Sequence, residues 1–178
     1  MDPIKIIEKY YTPTTPLYNI LLSHSHSVTN KALEIAQRHP EIQMDTTFIA
    51  EAAMVHDIGI FLTNAPAIHC IGNAKYIEHG YLGADLMRQE GFERHALVCE
   101  RHTGTGLSLE EIKKQRLPLP HRNLCPISYE EQVICFADKF FSKTHLEQEL
   151  PIEKIISSLS TFGDTSVLQF KRWLNMFG

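Results

Sequence analysis

The side chains best suited to chemistry in this 178-residue sequence are imidazoles and carboxylates set among apolar neighbours. His24 lies between Leu21 and Val28 at helical spacing. His26, about 200° further around a helix, faces elsewhere. His56 follows Ile49, Ala52 and Ala53 on one stripe, and Asp57, beside it in "AAMVHDIGIF" (52–61), can turn into the same space. His79 shares a face with Tyr76, Gly83 and Leu86, and Gly83 lets another helix come close. Asp138 sits between Ile134 and Phe141, and His102 closes its segment before the turn "TGTG". Burying such groups without partners costs several kcal/mol each. A single one would read as a hydrogen-bonded core residue. Several on separate segments are explained together by a metal centre, since imidazole and carboxylate suit Fe, Mn, Zn or Ni. A carboxylate can bridge two ions, and Asp57 is placed to do so.

The other histidines fit that centre less well. His95 is about 10 Å along the axis from His102 and cannot share its site. His39 precedes a proline, and His121 and His145 have polar surroundings. His69, in the loop after "HDIG", is within reach of the pocket.

The elements that must position these residues are helical. Leu17, Ile20, Leu21, His24, Val28, Ala32 and Ile35 form the stripe of a long helix. Thr15 caps it, Pro16 fits its first turn and Pro40 stops it. A second helix runs from an Asp45 cap to His56, where Gly59 breaks it. The spacing predicts a loop at 64–73, helices over 74–91 and 92–102, and a short helix after Ser108 with Glu111 at the capping-box position. Ser128 and Glu131 repeat that signature before a helix through about Leu146. Two shorter helices follow, near 151–160 and 164–177. No hairpin signal is convincing, so the expected fold is all-α, a single domain over 1–178.

Composition narrows the function classes. The chain is 43% hydrophobic with net charge −4, and its lysines and arginines are spread out. It lacks the basic block that binds a nucleic-acid backbone. The N-terminus shows no signal-peptide core, and no apolar run approaches the roughly 18 residues that span a bilayer. The expectation is a soluble, cytoplasmic protein. Four cysteines without a CxxC pair read as reduced, mostly buried thiols. The apolar stretch "VLQFKRWLNMF" (167–177) would serve a homodimer as readily as a core.

The ordered motifs resemble the HD-domain metal-dependent phosphohydrolase superfamily, in which "HDIG" (56–59) is the commonest form of the defining His-Asp pair. "HSHSVTNKALEIA" (24–36) is similar to its first-histidine helix, in a register that selects His24. "HGYLGADLM" (79–87) and "ERHTGTGLS" (100–108) resemble the histidine segments of its two-metal branch. "VICFADKF" (133–140) resembles its closing Asp helix, and the match covers about 20–146 in order. The arrangement is most similar to small phosphohydrolases, including the symmetrical dinucleoside tetraphosphatases. No "GYP" element of the cyclic-di-GMP phosphodiesterase branch is present.

The resemblance implies an HD helical bundle and a metal-dependent hydrolase. His24, His56, Asp57 and Asp138 would form the shared metal site, with His79 and His102 completing a second and Asp57 bridging. The implied cofactor is a divalent metal, two ions of Fe, Mn, Ni, Zn or Mg. The implied substrate is a small phosphorylated molecule, a nucleotide above all, whose ester or anhydride is cleaved by a metal-activated water. Asp57, His69 and Arg101 are the candidates for catalysis, the latter two at the leaving group. One departure stands out. Many relatives carry Lys or Arg after "HDIG" to contact substrate phosphate, whereas this chain has Ile60-Phe61. Arg101, Lys75 and Lys139 are the substitutes by position. Two alternatives on the same scaffold are a non-catalytic metal-binding regulatory domain and an iron-dependent oxygenase.

Overall fold

The computed structural model describes residues 1–146 and 148–178. Its α-helices are α1 (Pro3–Tyr10), α2 (Pro16–Arg38), α3 (Thr46–Val55), α4 (His79–Gln89), α5 (Glu93–Arg101), α6 (Leu109–Lys114), α7 (Tyr129–Asp138), α8 (Ile152–Leu159) and α9 (Asp164–Phe177). The fold is all-α. The one described sheet is a two-residue hairpin, β1 (Asn64–Ala65) antiparallel to β2 (Cys70–Ile71), inside the loop that follows the HDIG motif. None of the described helices is long and apolar enough to cross a membrane.

Side-chain caps start α1, α2, α3, α6 and α7. The hydroxyl of Thr15 and the carboxylate of Asp45 accept from the backbone amides of Tyr18 and Phe48. Ser108 and Glu111 close a full capping box. The second Ser/Glu pair is half made. Ser128 caps α7, but the Glu131 carboxylate accepts from Arg101 and from the Ile127 amide instead.

The fold buries two large apolar clusters and a small third one of Leu107, Ile112, Leu119 and Leu124. One large cluster gathers Val28 and Ile35 of α2, Ile49 of α3, Phe136 of α7, and Phe170, Trp173 and Phe177 of α9. Phe170, Trp173 and Phe177 of the apolar C-terminal stretch are core, with the Trp173 indole donating to Gln132, while Leu168 and Met176 are exposed. The other large cluster gathers Ile6, Ile7 and Tyr11 around Leu21, Ile58 and Met87. It brings in α1, an N-terminal helix capped by Asp2 and opened by Pro3 that the sequence reading did not include.

Three boundaries differ from the sequence reading. The helix expected over 74–91 begins at His79, after a 3-10 turn at Tyr76–Glu78. The loop after Gly59 contains two further 3-10 turns and the hairpin. The helix expected to run to about Leu146 stops at Asp138.

Candidate metal centre

Each of five polar positions arrives from a different segment. His24 is mid-way along α2, buried between Leu21 and Val28. His56 caps the C-terminal end of α3, with Asp57 next, and both are fully buried. His79 opens α4, His102 caps α5 and Asp138 ends α7. Helix ends are therefore the rule here, because a side chain at a terminus can project past the last turn into the space between elements.

Close backbone contact sets the depth of the motif loop. A Cβ on Gly59 would lie 2.3 Å from the His79 carbonyl oxygen and 2.8 Å from the Gly83 Cα. Only hydrogen at both glycines lets the loop touch α4. The loop is also held from the other side, where the Tyr11 hydroxyl donates to the Ile58 carbonyl at 2.8 Å.

The side chains converge as two groups sharing Asp57. In the first, His24 Nε2 is 3.2 Å from Asp57 Oδ2 and 2.9 Å from Asp138 Oδ1. His56 Nε2 is 3.1 Å and 3.4 Å from the same two oxygens. In the second, His79 Nε2 and His102 Nε2 lie 3.3 Å and 3.4 Å from Asp57 Oδ1, and 2.9 Å from each other. Ligands sharing one ion at about 2.1 Å stand about 3.0–3.4 Å apart, which is the spacing seen here.

Hydrogen bonding points the same way. His56, His79 and His102 each place Nδ1 2.6–2.7 Å from the carbonyl oxygen three residues back, at Ala53, Tyr76 and Cys99. An Nδ1–H donating there leaves Nε2 with a lone pair, the tautomer that ligates metals. Two such lone pairs facing each other across 2.9 Å at His79 and His102 repel unless a cation or proton lies between them. His56 Nε2 and both Asp57 oxygens are buried and lack a hydrogen bond of proper geometry. The residues present fit divalent metal ions.

The electrostatics separate the two groups. Burial holds His79 down to about 3 and also lowers His102, so both stay neutral. Burial would lower His56 too, but the Asp57 and Asp138 carboxylates overcome it and raise it to about 9. Burial would raise both carboxyls. Lys143 and His56 instead pull Asp57 well below the usual range, and Lys139 and His24 do the same for Asp138.

Comparison with known proteins accords with this geometry. The HD domain family model matches residues 21–142. This chain belongs to the HD domain family. An uncharacterised protein of Methanocaldococcus jannaschii is 32% identical over 127 residues, covering 70% of this chain and 68% of its own. Two proteins named tRNA (cytidine(56)-2'-O)-methyltransferase are also similar. The one from Thermoplasma volcanium is 29% identical over 80% of this chain and 37% of its own, and the one from Picrophilus torridus 30% over 70% and 32%. The chain thus spans about a third of those two relatives. No solved structure matches.

The other residues singled out from this HD sequence lie elsewhere. His69 is exposed, with left-handed backbone (φ 61°), just before β2, and belongs to neither group. Arg101 turns to Glu131, 2.9 Å away. Lys75 is exposed at the 3-10 turn before α4. His95 meets Glu51. Lys139 does reach the centre. Its Nζ is 2.7 Å from Asp138 Oδ2 and 3.1 Å from the His102 carbonyl oxygen. Lys143, which sequence reasoning passed over, is closer still, with Nζ 2.6 Å from Asp57 Oδ2. Burial would lower its pKa, but the Asp57 carboxylate drives it upward, so it stays charged.

Proposed function

We propose that this HD domain is a metal-dependent phosphohydrolase, cleaving a phosphate ester or anhydride of a nucleotide or similar small molecule. The observation that carries the reading is the turning of three imidazoles. Their Nδ1 atoms are occupied by carbonyls of the preceding turn, and their Nε2 atoms face the buried carboxylate of Asp57, which Lys143 also approaches. That arrangement is costly as a plain hydrogen-bonded core and favourable around cations.

His24, His56, Asp57 and Asp138 would hold one divalent ion, and Asp57, His79 and His102 a second, with Asp57 common to both groups. Ions bound there supply Lewis acidity: they acidify a water and offset charge on phosphoryl oxygens. The chain supplies the rest. The rear hydrogen bonds fix the imidazole planes, and the low pKa values of His79 and His102 keep their lone pairs free at neutral pH. Lys139 adds positive charge beside Asp138. In the overall step water's oxygen bonds to phosphorus, the bond to the leaving oxygen breaks, and a proton ends on that oxygen. The cleft that admits substrate runs from His79, His102 and Lys139 out between Tyr76 and Leu159 of α8.

Methyl transfer is a property printed for relatives of which this chain matches about a third, and the imidazole-carboxylate cluster has no part to play in moving a methyl group. The test is direct. Asp57→Ala is expected to lose both bound metal and hydrolysis, read as loss of substrate by chromatography, on a panel of nucleoside monophosphates, dinucleoside polyphosphates and cyclic nucleotides with Mn, Fe, Ni or Mg. Retention of either property by the variant, or no hydrolysis by the wild type of any member, would sink the reading.

A further inference from the structure

The residue after the HDIG motif cannot reach substrate in this chain. Ile60 is fully buried, and Phe61 packs its ring against Tyr10 and Tyr11. The charge missing there is present on the opposite side of the cluster. Past the end of α7 the chain turns, and it delivers two ammonium groups to the same cleft. Lys139 is anchored between Asp138 Oδ2 and the His102 carbonyl. Lys143 is held differently. It contacts Asp57 Oδ2 and lies 5.9 Å from the Tyr76 ring centroid, with 13% of its side chain exposed. It lines both cavities that open over the centre, one of about 230 Å³ beside His79 and His102 and one of about 410 Å³ walled by Phe141, Leu150 and Ile155.

Charge decides what Lys143 does. Asp57 Oδ2 is also the oxygen nearest His24 and His56 Nε2, where the first ion would be held. With a divalent cation held by these residues, the Lys143 ammonium, 2.6 Å from Asp57 Oδ2, would be repelled and would lose its carboxylate partner. Lysine is a point charge on a flexible four-carbon stem, and its open direction is the cleft. The larger cavity has charged side chains only at its inner end, among the described residues: Asp138, Lys139 and Lys143. Further out it offers hydroxyls of Ser142, Thr144 and Ser158 and an apolar wall.

We propose that Lys143 is the phosphate-contacting cation of this chain, and that it binds a single phosphate at the inner end of the cavity while the uncharged body of a phosphomonoester fills the apolar outer part. The substrate class rests on the phosphohydrolase reading; the anion contact does not. A polyphosphate would need cations along its length, and the described wall has none beyond the two lysines.

The test uses the metal-loaded protein with inorganic phosphate as probe, titrated calorimetrically. Lys143→Met keeps the arm and removes the charge. Its phosphate affinity is expected to fall about 10- to 100-fold, the size of a lost charge-assisted hydrogen bond. Lys143→Arg should recover most of it. Bound metal, measured by elemental analysis, should be undiminished in Lys143→Met, because a competitor for Asp57 has gone. Tripolyphosphate should bind wild type no more than tenfold tighter than phosphate. For any ester the wild type hydrolyses, Lys143→Met should raise KM by a similar factor and change kcat less.

Unchanged phosphate affinity in Lys143→Met, metal loss in that variant, or a wild type that does not bind phosphate overturns the assignment. Tripolyphosphate binding well beyond tenfold tighter overturns the single-phosphate part. A wild type that hydrolyses no ester, with weakened phosphate binding in Lys143→Met, would refute the hydrolase and leave the anion contact standing. Turnover with normal KM in Lys143→Met would do the reverse.

Discussion

Adding one methyl group to Gly59 should cost this protein the second of its two proposed metal positions, that of Asp57, His79 and His102, before it costs the fold. The backbone at Gly59 is ordinary, with φ −84°, so an alanine meets no conformational strain of its own. The penalty is contact. Its Cβ would sit 2.3 Å from the His79 carbonyl oxygen, 2.5 Å from the Gly83 nitrogen and 2.8 Å from the Gly83 Cα, all backbone atoms. Restoring ordinary contact near 3.5 Å requires α4 and the motif loop to separate by about 1 Å. His79 opens α4 and Asp57 stands in the loop, so their 3.3 Å approach opens by a similar amount. His24 and Asp138 lie on α2 and α7 and are not pushed. Overpacking of this kind costs about 1–3 kcal/mol. In a chain this long that lowers Tm by roughly 2–12 °C. Gly83→Ala is the graded control, because its Cβ would meet the Gly59 nitrogen at 3.0 Å and the movable Ile58 Cγ2 at 3.3 Å. Elemental analysis and thermal melts of both variants read the result. Gly59→Ala should bind about one ion fewer than wild type and melt lower, with Gly83→Ala between. Two ions and a normal melt in Gly59→Ala would refute the close-contact account. So would a larger effect from Gly83→Ala.

The pH profile of chelator-treated protein should peak near pH 6.5. His56 is raised to about 9, so its contribution is full below 6.5 and is lost as pH climbs toward 9. His79 is lowered to about 3, so its contribution is full above 6.5 and is lost as pH falls toward 3. Denaturant midpoints across pH 4–9 check this, and a midpoint still rising from pH 7 to 9 would contradict it. Metal binding should release a proton from His56 at pH 7, with apparent affinity rising up to about pH 9; calorimetry in buffers of different ionisation enthalpy counts that proton. Phe170→Ala should destabilise the fold by about 3–5 kcal/mol without changing oligomeric state, since Phe170 is fully buried against Phe136. A change in sedimentation with little loss of stability would mean that α9 serves an interface.

How far the site could be read from sequence depended on where helices stop. Residues inside a helix obey its period, and His24 could be placed by counting from Leu21 and Val28 alone. Gly83 could be assigned a close approach for the same reason, and Gly59 is the neighbour it meets. His56, Asp57, His79 and His102 could be nominated because an imidazole or carboxylate at the end of an apolar stripe has few bland explanations. The loop after Gly59 was not legible. Its turns and two-residue hairpin rest on tertiary hydrogen bonds such as Asn64 N to Ala74 O, which leave no period in the chain. By contrast α1 was legible and was passed over: Asp2 caps it, Pro3 opens it, and Ile4, Ile7 and Tyr11 recur at helical spacing.

Lys143 shows the cost of one misplaced boundary. If α7 ran to Leu146, Lys143 would follow Asp138 by five residues and point about 140° away from it. The helix ends at Asp138 instead, and Phe141 and Leu150 fold against the core beyond it. That turn brings the ammonium to Asp57 and α8 over the cleft. The ending leaves no glycine or proline behind; the next proline is Pro151. A helix stop made by packing alone cannot be seen in the local sequence, and here it decides which ammonium reaches Asp57.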